Sequence, residues 1–442
     1  MVEMVTGWGR SIFSRTNIKN FQDSEQIESL DIKRGAIPRG FGRSYGDSAS
    51  NSGGTTIQTE LLKKISIDPI SGIAILGAGV SISELELESL EKGLFPYVVP
   101  GTSKVSIGGA IASDIHGKSH HKVGSFSEHL LEVKIVTSDG KLQVLTPSGK
   151  TSRLFWATVG GMGMTGIIVE ATIQLRKVDS NLLEVKEVRV QDLEELLSRL
   201  SEFDEKYLYT VAWIDLSGRY RGRGVVSGAN HLSNEGHRLK KRHPKSSKTA
   251  KLKEYSLPRV FHFGLINRLS IRIFNSIWYH KPLAKEFQEI RAYMHPLDGV
   301  ANWNLVYGGN GFLQYQFVIP FEQKEILARV LEILRIAKFS SLLTVLKSFG
   351  VGSNGLLSFP MKGWTLAIDL PLGNKNLSGV IRDLDQIIVG AGGRVYLSKD
   401  SCTSSTLIPL MYPRIEEWKR VKQEFDPLNL WQSDQGRRLD LC

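Results

Sequence analysis

The sequence predicts an α+β protein of two domains, in which strand hairpins and helices mix without the regular βαβ rhythm of a doubly wound sheet. Length is the first ground, since 442 residues exceed one ordinary core. Texture is the second. Residues 1–175 alternate short apolar strands with glycine-rich loops, whereas from about residue 178 longer charged helices alternate with strands.

In chain order, Ile73-Ala74-Ile75-Leu76-Gly77-Ala78-Gly79 reads as a buried strand, and residues 81–92 as a helix opened by a serine cap and closed at Gly93. Residues 131–137 form a strand that turns at Asp139-Gly140 into a second, 141–145. Residues 154–159 read as helical or turn-like, and 167–175 as a clear β run. The charged patterns over 190–206 and 323–339 predict helices, and the segments 312–319 and 364–369 predict strands. Residues 394–400 lie at the end of a strand and carry Lys399.

Composition is that of a soluble globular protein, 41% hydrophobic and 23% charged. Cys402 and Cys442 are the only cysteines, which excludes a disulfide framework and a cysteine metal site. The first residues lack a basic stretch followed by an apolar core, so no signal peptide is read, and no apolar run reaches the ~20 residues of a membrane span. A cytoplasmic protein is expected, peripheral to the membrane, with the cell envelope as the alternative. The net charge of +11 is concentrated: residues 235–259 hold nine Lys or Arg against two acids. That segment lacks, over residues 237–248, aromatic residues for base stacking, which argues against nucleic acid. It reads as a solvated excursion, with attraction to an anionic membrane or a phosphorylated substrate as the sharper alternative. Downstream, Ile266, Leu269, Ile273 and Ile277 recur at helical spacing, which core packing explains at least as well as lipid contact.

Two loops carry the chemistry. Pro38-Arg39-Gly40-Phe41-Gly42-Arg43-Ser44-Tyr45-Gly46-Asp47 packs three glycines into seven residues, so backbone amides can close around a phosphate. The second loop runs from Pro100-Gly101-Thr102-Ser103-Lys104-Val105 through Ser106-Ile107-Gly108-Gly109 to Ser113-Asp114-Ile115-His116-Gly117. Together they suggest a large diphosphate cofactor held at several points. Gly161-Met162-Gly163-Met164-Thr165-Gly166 matches the dinucleotide fingerprint, but a helix precedes it and a strand follows, the reverse of the required order. A nicotinamide site is therefore not expected. His116, His120 and His121 with Asp114 lack a ligand pattern and stand beside Lys118 and Lys122, so no metal is expected. Lys399 is a surface lysine by default, and a base only if burial lowers its pKa.

These residues resemble the vanillyl-alcohol oxidase type of FAD flavoproteins, and within it the branch that oxidises a polyprenylphosphoryl-β-D-ribose in making arabinose donors for cell walls. The likeness runs nearly end to end. It takes in Thr6-Gly7-Trp8-Gly9-Arg10, Asp114-Ile115-His116-Gly117-Lys118, Phe155-Trp156-Ala157, Gly311-Phe312-Leu313-Gln314-Tyr315-Gln316, Leu357-Ser358-Phe359-Pro360 and Met411-Tyr412-Pro413-Arg414. The resemblance implies an FAD domain of the PCMH type built from residues 1–178 and 394–442, with an α+β substrate domain, 179–393, inserted between. It implies that Arg39, Gly40, Phe41, Gly42, Arg43, Ser44, Tyr45 and Gly46 hold FAD. It assigns the same task to Gly101, Ser106, Ile107, Gly108 and Gly109, to Ser113, Asp114, Ile115 and His116, and to Ile168 and Tyr396.

For the chemistry, the resemblance places Lys399 as the essential lysine, with Tyr45 and His116 as catalytic neighbours, and Lys118, Gln316, Lys347, Thr365 and Ala367 around the substrate. Relatives often tether the flavin through a histidine in the first glycine loop; Arg43 and Ser44 stand there, so non-covalent FAD is expected. Ala367 replaces a cysteine and Thr365 an asparagine of the actinobacterial members. The expected reaction is oxidation of the ribose 2'-hydroxyl to a ketone, with an NADH-dependent short-chain reductase as functional partner. An oxidase of a soluble polyol or aldonolactone is the alternative enzyme, and a non-enzymatic binding module attracted by the basic segment is a third, weaker reading.

Overall fold

The computed structural model describes residues 2–21, 33–217, 222–233, 255–256, 266–284 and 286–442. The basic segment 238–253 lies outside the described residues. The fold has two α+β parts. Near the start, the strands Val2–Thr6, Phe13–Asn20, Thr55–Gln58 and Ala36–Arg39 form a small mixed sheet in that order. A second, antiparallel sheet centres on Ile167–Lys177, which pairs with Ile73–Gly77, Leu94–Pro96 and Leu130–Val136. The helix Ile82–Leu90 starts where the sequence places it: Ser81 Oγ accepts from Glu84 N, and Glu84 Oε2 accepts from Ser81 N, a reciprocal capping box.

The third sheet is larger than the sequence foretold. Eight antiparallel strands run in the order Phe287–Glu289, Leu182–Val190, Gly224–His231, Tyr209–Ile214, Thr344–Phe349, Gly363–Pro371, Phe312–Ile319 and Arg394–Val395. Several were hard to read because both faces are covered, so apolar and polar residues do not alternate: Gly224–His231 is buried along most of its length. One face of Phe312–Ile319 sends Tyr315 and Phe317 into the core shared with the helices Glu325–Ile336 and Leu377–Gly390. The other face lines the site described below. Arg394–Val395, at the expected start of the returning FAD segment, belongs to this sheet.

The fingerprint-like glycines do lie between the helix Ser152–Thr158 and the strand Ile167–Lys177, the order that argued against a nicotinamide site. The apolar stripe before residue 280 departs from a core reading. In the helix Arg268–His280 the buried residues are Ile271, Asn275 and Tyr279, while Leu269, Ile273 and Ile277 face outward.

A buried ionic cluster and a hydrogen-bonded buried carboxylate join residues 290–298, which follow the sheet strand Phe287–Glu289, to the first half of the chain. Glu86 accepts from His295 Nε2 at 2.6 Å and from Arg291 Nε at 3.2 Å, with both side chains of the Glu86–His295 pair fully buried. Asp298 accepts from Thr102 Oγ1 at 2.6 Å, and from Ser103 N and Oγ at 2.7 and 2.6 Å. Removing one partner of a buried ion pair leaves the other uncompensated, which costs about 3–5 kcal/mol. Glu86→Ala is accordingly expected to lower the free energy of denaturant unfolding by about that amount, and Glu86→Gln by less, since the amide oxygen still accepts one bond.

Candidate active site

Two adjoining cavities open between the parts. The first, about 810 Å³ including its mouth, is walled by residues 38–44, Ser106, Gly108, Gly109, Ser113, Ile115 and Ile168. The second, about 1130 Å³, is lined by Trp8, Tyr45, Gly101, Lys104, His116, Asp298, Trp303, Gln314, Lys347, Ala367, Tyr396 and Lys399. Arg43, Val105, Ile115 and Ser398 line both.

The first cavity suits a dinucleotide with a diphosphate. Its size falls in the range of cofactor pockets, and its wall is mostly backbone and small side chains. Gly42 turns the loop with φ of +60°, a conformation costly for any other residue. Gly40 touches the second loop so closely that a Cβ would stand 2.1 Å from Ser106 Oγ. That hydroxyl caps the helix Ile107–Ala112 by accepting from Gly109 N. The fingerprint-like segment, set aside for a nicotinamide, contributes Met162, Gly163 and Gly166 to this wall. Asp114 is placed beneath the cradle rather than on it: its carboxylate accepts from Ser125, Ser353 and Ser358 Oγ and from Ser127 N. Gly46 is not on the wall either, but packs against the turn that carries Lys399, where a Cβ would meet Asp400 O at 2.0 Å.

The second cavity is built by period-2 alternation on three adjacent strands. Gln314 and Gln316, Asp369, Ala367 and Thr365, and Val345 and Lys347 share one face, because Gln314 pairs with Asp369, Gln316 with Ala367, and Lys347 with Thr365. Lys399 enters from the turn 396–400. That turn is tied down by Tyr396 N to Gln316 O, Tyr45 N to Ser398 O, and the phenol of Tyr396 to Ser113 O, each at 2.9 Å. Lys399 Nζ stands 5.4 Å from the centre of the Tyr45 ring. Arg438, from the short helix Asp434–Arg438, locks the arrangement by donating to both oxygens of Asp47 and to Asp400 Oδ2.

Enclosure sets the protonation states. Burial, then the Lys347 cation, pulls Lys399 down to about 7, while Asp369 opposes the shift. Lys347 is lowered to about 8 and Lys118 to about 7, both mainly by burial. Burial and the neighbouring lysines hold His116 well below its ordinary value, so it is neutral. Its Nε2 meets Gln316 Nε2 at 3.1 Å and its Nδ1 faces Lys347 Nζ at 3.5 Å. Asp369 is pushed up to about 7 by burial, against hydrogen bonds from Gln314 Nε2 and the Tyr307 phenol. Burial and Asp369 keep Tyr45 protonated.

Of the residues expected around the substrate, Lys347 and Ala367 line the cavity, while Gln316 and Thr365 form the layer behind His116, joined to each other at 3.0 Å. Lys118 is drawn aside: its ammonium donates to Tyr293 O and lies 4.1 Å from that ring. The sequence reading passed over Gln314, Asp369, Lys104, Asp298, Trp303 and Arg438. Gln314 and Asp369 had a signal, the polar residues alternating along otherwise apolar strands; Asp298 and Arg438 had none, because their partners are remote in sequence.

Comparison with known proteins agrees with this geometry. The FAD binding domain family matches residues 33–146. The decaprenylphosphoryl-beta-D-ribose oxidase of Mycolicibacterium smegmatis is 37% identical over 98% of this chain and 97% of its own. An uncharacterised Streptomyces coelicolor protein is 31% identical over 80% of this chain and 97% of its own. The D-lactate dehydrogenase of Archaeoglobus fulgidus is 29% identical over 29% of this chain and 30% of its own. FAD is the cofactor.

Gly40→Ala forces Ser106 Oγ off Gly109 N and narrows the wall. A lost cap costs about 1 kcal/mol, and every 1.4 kcal/mol of lost contact is tenfold in affinity. The variant is expected to purify folded but with FAD affinity lowered roughly tenfold, measured by flavin fluorescence during titration of the apoprotein.

Proposed function

We propose, for a chain that belongs to the decaprenylphosphoryl-beta-D-ribose oxidase family of FAD-dependent oxidoreductases acting on CH-OH groups, that it oxidises the ribose 2'-hydroxyl of a polyprenylphosphoryl-β-D-ribose to the 2'-keto sugar. This is the first half of epimerisation to an arabinose donor. One observation carries the reading: an enclosed lysine held near neutrality follows Ser398, a residue that lines both the cofactor cavity and the substrate cavity.

FAD supplies, when bound, the acceptor of the two electrons and hydrogen leaving the carbinol carbon. Lys399 Nζ takes the hydroxyl proton, and its lowered pKa makes the neutral amine available near pH 7. Gln314 Oε1, buried and without a hydrogen-bond partner, is an acceptor for a second sugar hydroxyl. Tyr45 and neutral His116 hold the walls about the sugar. Arg43, Lys104 and Lys347 bring cationic groups to this cavity, and Asp298, the single lining carboxylate among the described residues, has its oxygens occupied by Thr102 and Ser103. These cations seat the substrate phosphate. Ala367, smaller than cysteine, widens the cavity it lines. The keto product passes to a separate NADH-dependent short-chain reductase.

The cofactor is held without a covalent bond, because among the described residues the wall of the first cavity carries no histidine, cysteine or tyrosine to tether it. Acid precipitation of the holoprotein should release intact FAD into the supernatant; flavin left in the pellet would refute this.

Stopped-flow flavin reduction by a short-chain, water-soluble prenylphosphoryl ribose tests the reaction. Lys399→Ala is expected to keep the flavin spectrum and lose about 10² to 10⁴ in the reduction rate. In the wild type the rate should rise with pH through about 7, as Lys399 loses its proton. Asp369→Asn removes the charge that raises this lysine, so the midpoint should move to lower pH. A pH-independent rate, or equal reduction by an aldonolactone, would overturn the assignment.

A further inference from the structure

The helix Arg268–His280 is amphipathic in the inverse sense. Its inner face is held by polar contacts: Asn275 Nδ2 donates to Asp215 Oδ1 at 2.9 Å and to Ser341 O at 3.2 Å, and the Tyr279 phenol to Val190 O at 3.3 Å. Its outer face is apolar. Leu269 is 68% exposed, Ile277 65%, Ile273 52% and Phe274 41%, although these residues lose most by staying in water. The first three recur at intervals of four and so form one stripe along the helix.

Charge accompanies that stripe with one sign. Arg268 and Arg272 are exposed on the helix, Lys281 follows it, and residues 266–284 contain no Asp or Glu. Trp278 stacks against Phe274 at 5.8 Å, and Lys281 Nζ lies 3.5 Å from the Trp278 ring centre. An aromatic belt beneath a cation, beside an aliphatic stripe, suits the boundary between anionic headgroups and acyl chains. It does not suit a second copy of the same face, which would bring its cations together.

We propose that the outer face of Arg268–His280 docks this protein on an anionic lipid bilayer. The inner face connects docking to the site, because Asn275 holds Ser341 and Leu343, two residues on, lines the substrate cavity. Resting on the proposed prenylphosphoryl substrate, the docked helix presents that wall to a ligand whose prenyl tail remains in the membrane.

The test is co-sedimentation of the FAD-loaded chain with vesicles of phosphatidylcholine and phosphatidylglycerol, against phosphatidylcholine alone. The wild type is expected to bind the mixed vesicles, to bind the neutral ones weakly, and to lose affinity as salt is added. The triple variant Leu269→Gln, Ile273→Gln, Ile277→Gln should bind at least about tenfold more weakly, with unchanged FAD content and unchanged flavin reduction by the water-soluble substrate. Arg268→Gln with Arg272→Gln should flatten the salt dependence. Absence of wild-type binding, or a triple variant that binds as the wild type does, would overturn the docking face. A triple variant that alters the sedimentation mass but not vesicle affinity would assign the face to self-association instead, against the proposal. Binding is read without substrate, so failure of the sugar oxidation reaction is seen separately.

Discussion

Three contacts hold the turn 396–400 against the first glycine loop. Tyr45 N donates to Ser398 O, Gly46 presses on Asp400 O, and Arg438 bridges Asp47 and Asp400. The loop lies near the start of the chain and its partners near the end, so the site exists only once the chain has returned on itself. Because the loop walls the cofactor cavity and the turn carries Lys399, the distance between that cavity and the Lys399 amine is set by one small rigid junction. Reacting groups must be placed to within about an ångström. A junction of backbone hydrogen bonds, a close glycine contact and a buried ionic bridge has few ways to relax.

Electrostatics in the second cavity follows from that enclosure. Lys399 lies beside Lys347 in the cavity and near the buried carboxyl of Asp369, which stands behind the wall and is itself pushed toward neutrality. Burial lowers both lysines, and the Lys347 cation adds to the shift of Lys399, so neither holds its proton as firmly as in water. The same crowding keeps His116 uncharged. A region with surplus cationic capacity but little net charge is well matched to a substrate that brings its own phosphate, since anion binding then restores the charge burial opposes.

The substrate cavity also depends on the large sheet reaching back. Asp298 spends its oxygens on Thr102 and Ser103, fixing the loop that begins at Gly101, and Glu86 gathers Arg291 and His295. Residues 290–303 thus serve as fastening and wall together: Asp298 ties the loop, and Trp303 faces the ligand space.

Local pattern made much of this legible. The capping box at Ser81, the reversed order around Gly161 to Gly166, the strand Phe312–Ile319 and the two glycine loops are short-range signals, fixed by neighbouring residues and steric limits. The extended match to a known kind of flavoprotein supplied Lys399, which composition alone left as a surface lysine. Tertiary structure decided the rest, because it depends on what a side chain meets across the fold. Lys399 loses its proton more easily only through burial beside Lys347; Asp114 and Lys118 are turned away from the cavities by serines and by Tyr293; Arg438 finds Asp47 almost four hundred residues away. The stripe at Leu269, Ile273 and Ile277 has the spacing of a core helix, and periodicity cannot say which side faces in. The polar anchors Asn275 and Tyr279 decide it, leaving the apolar face outward.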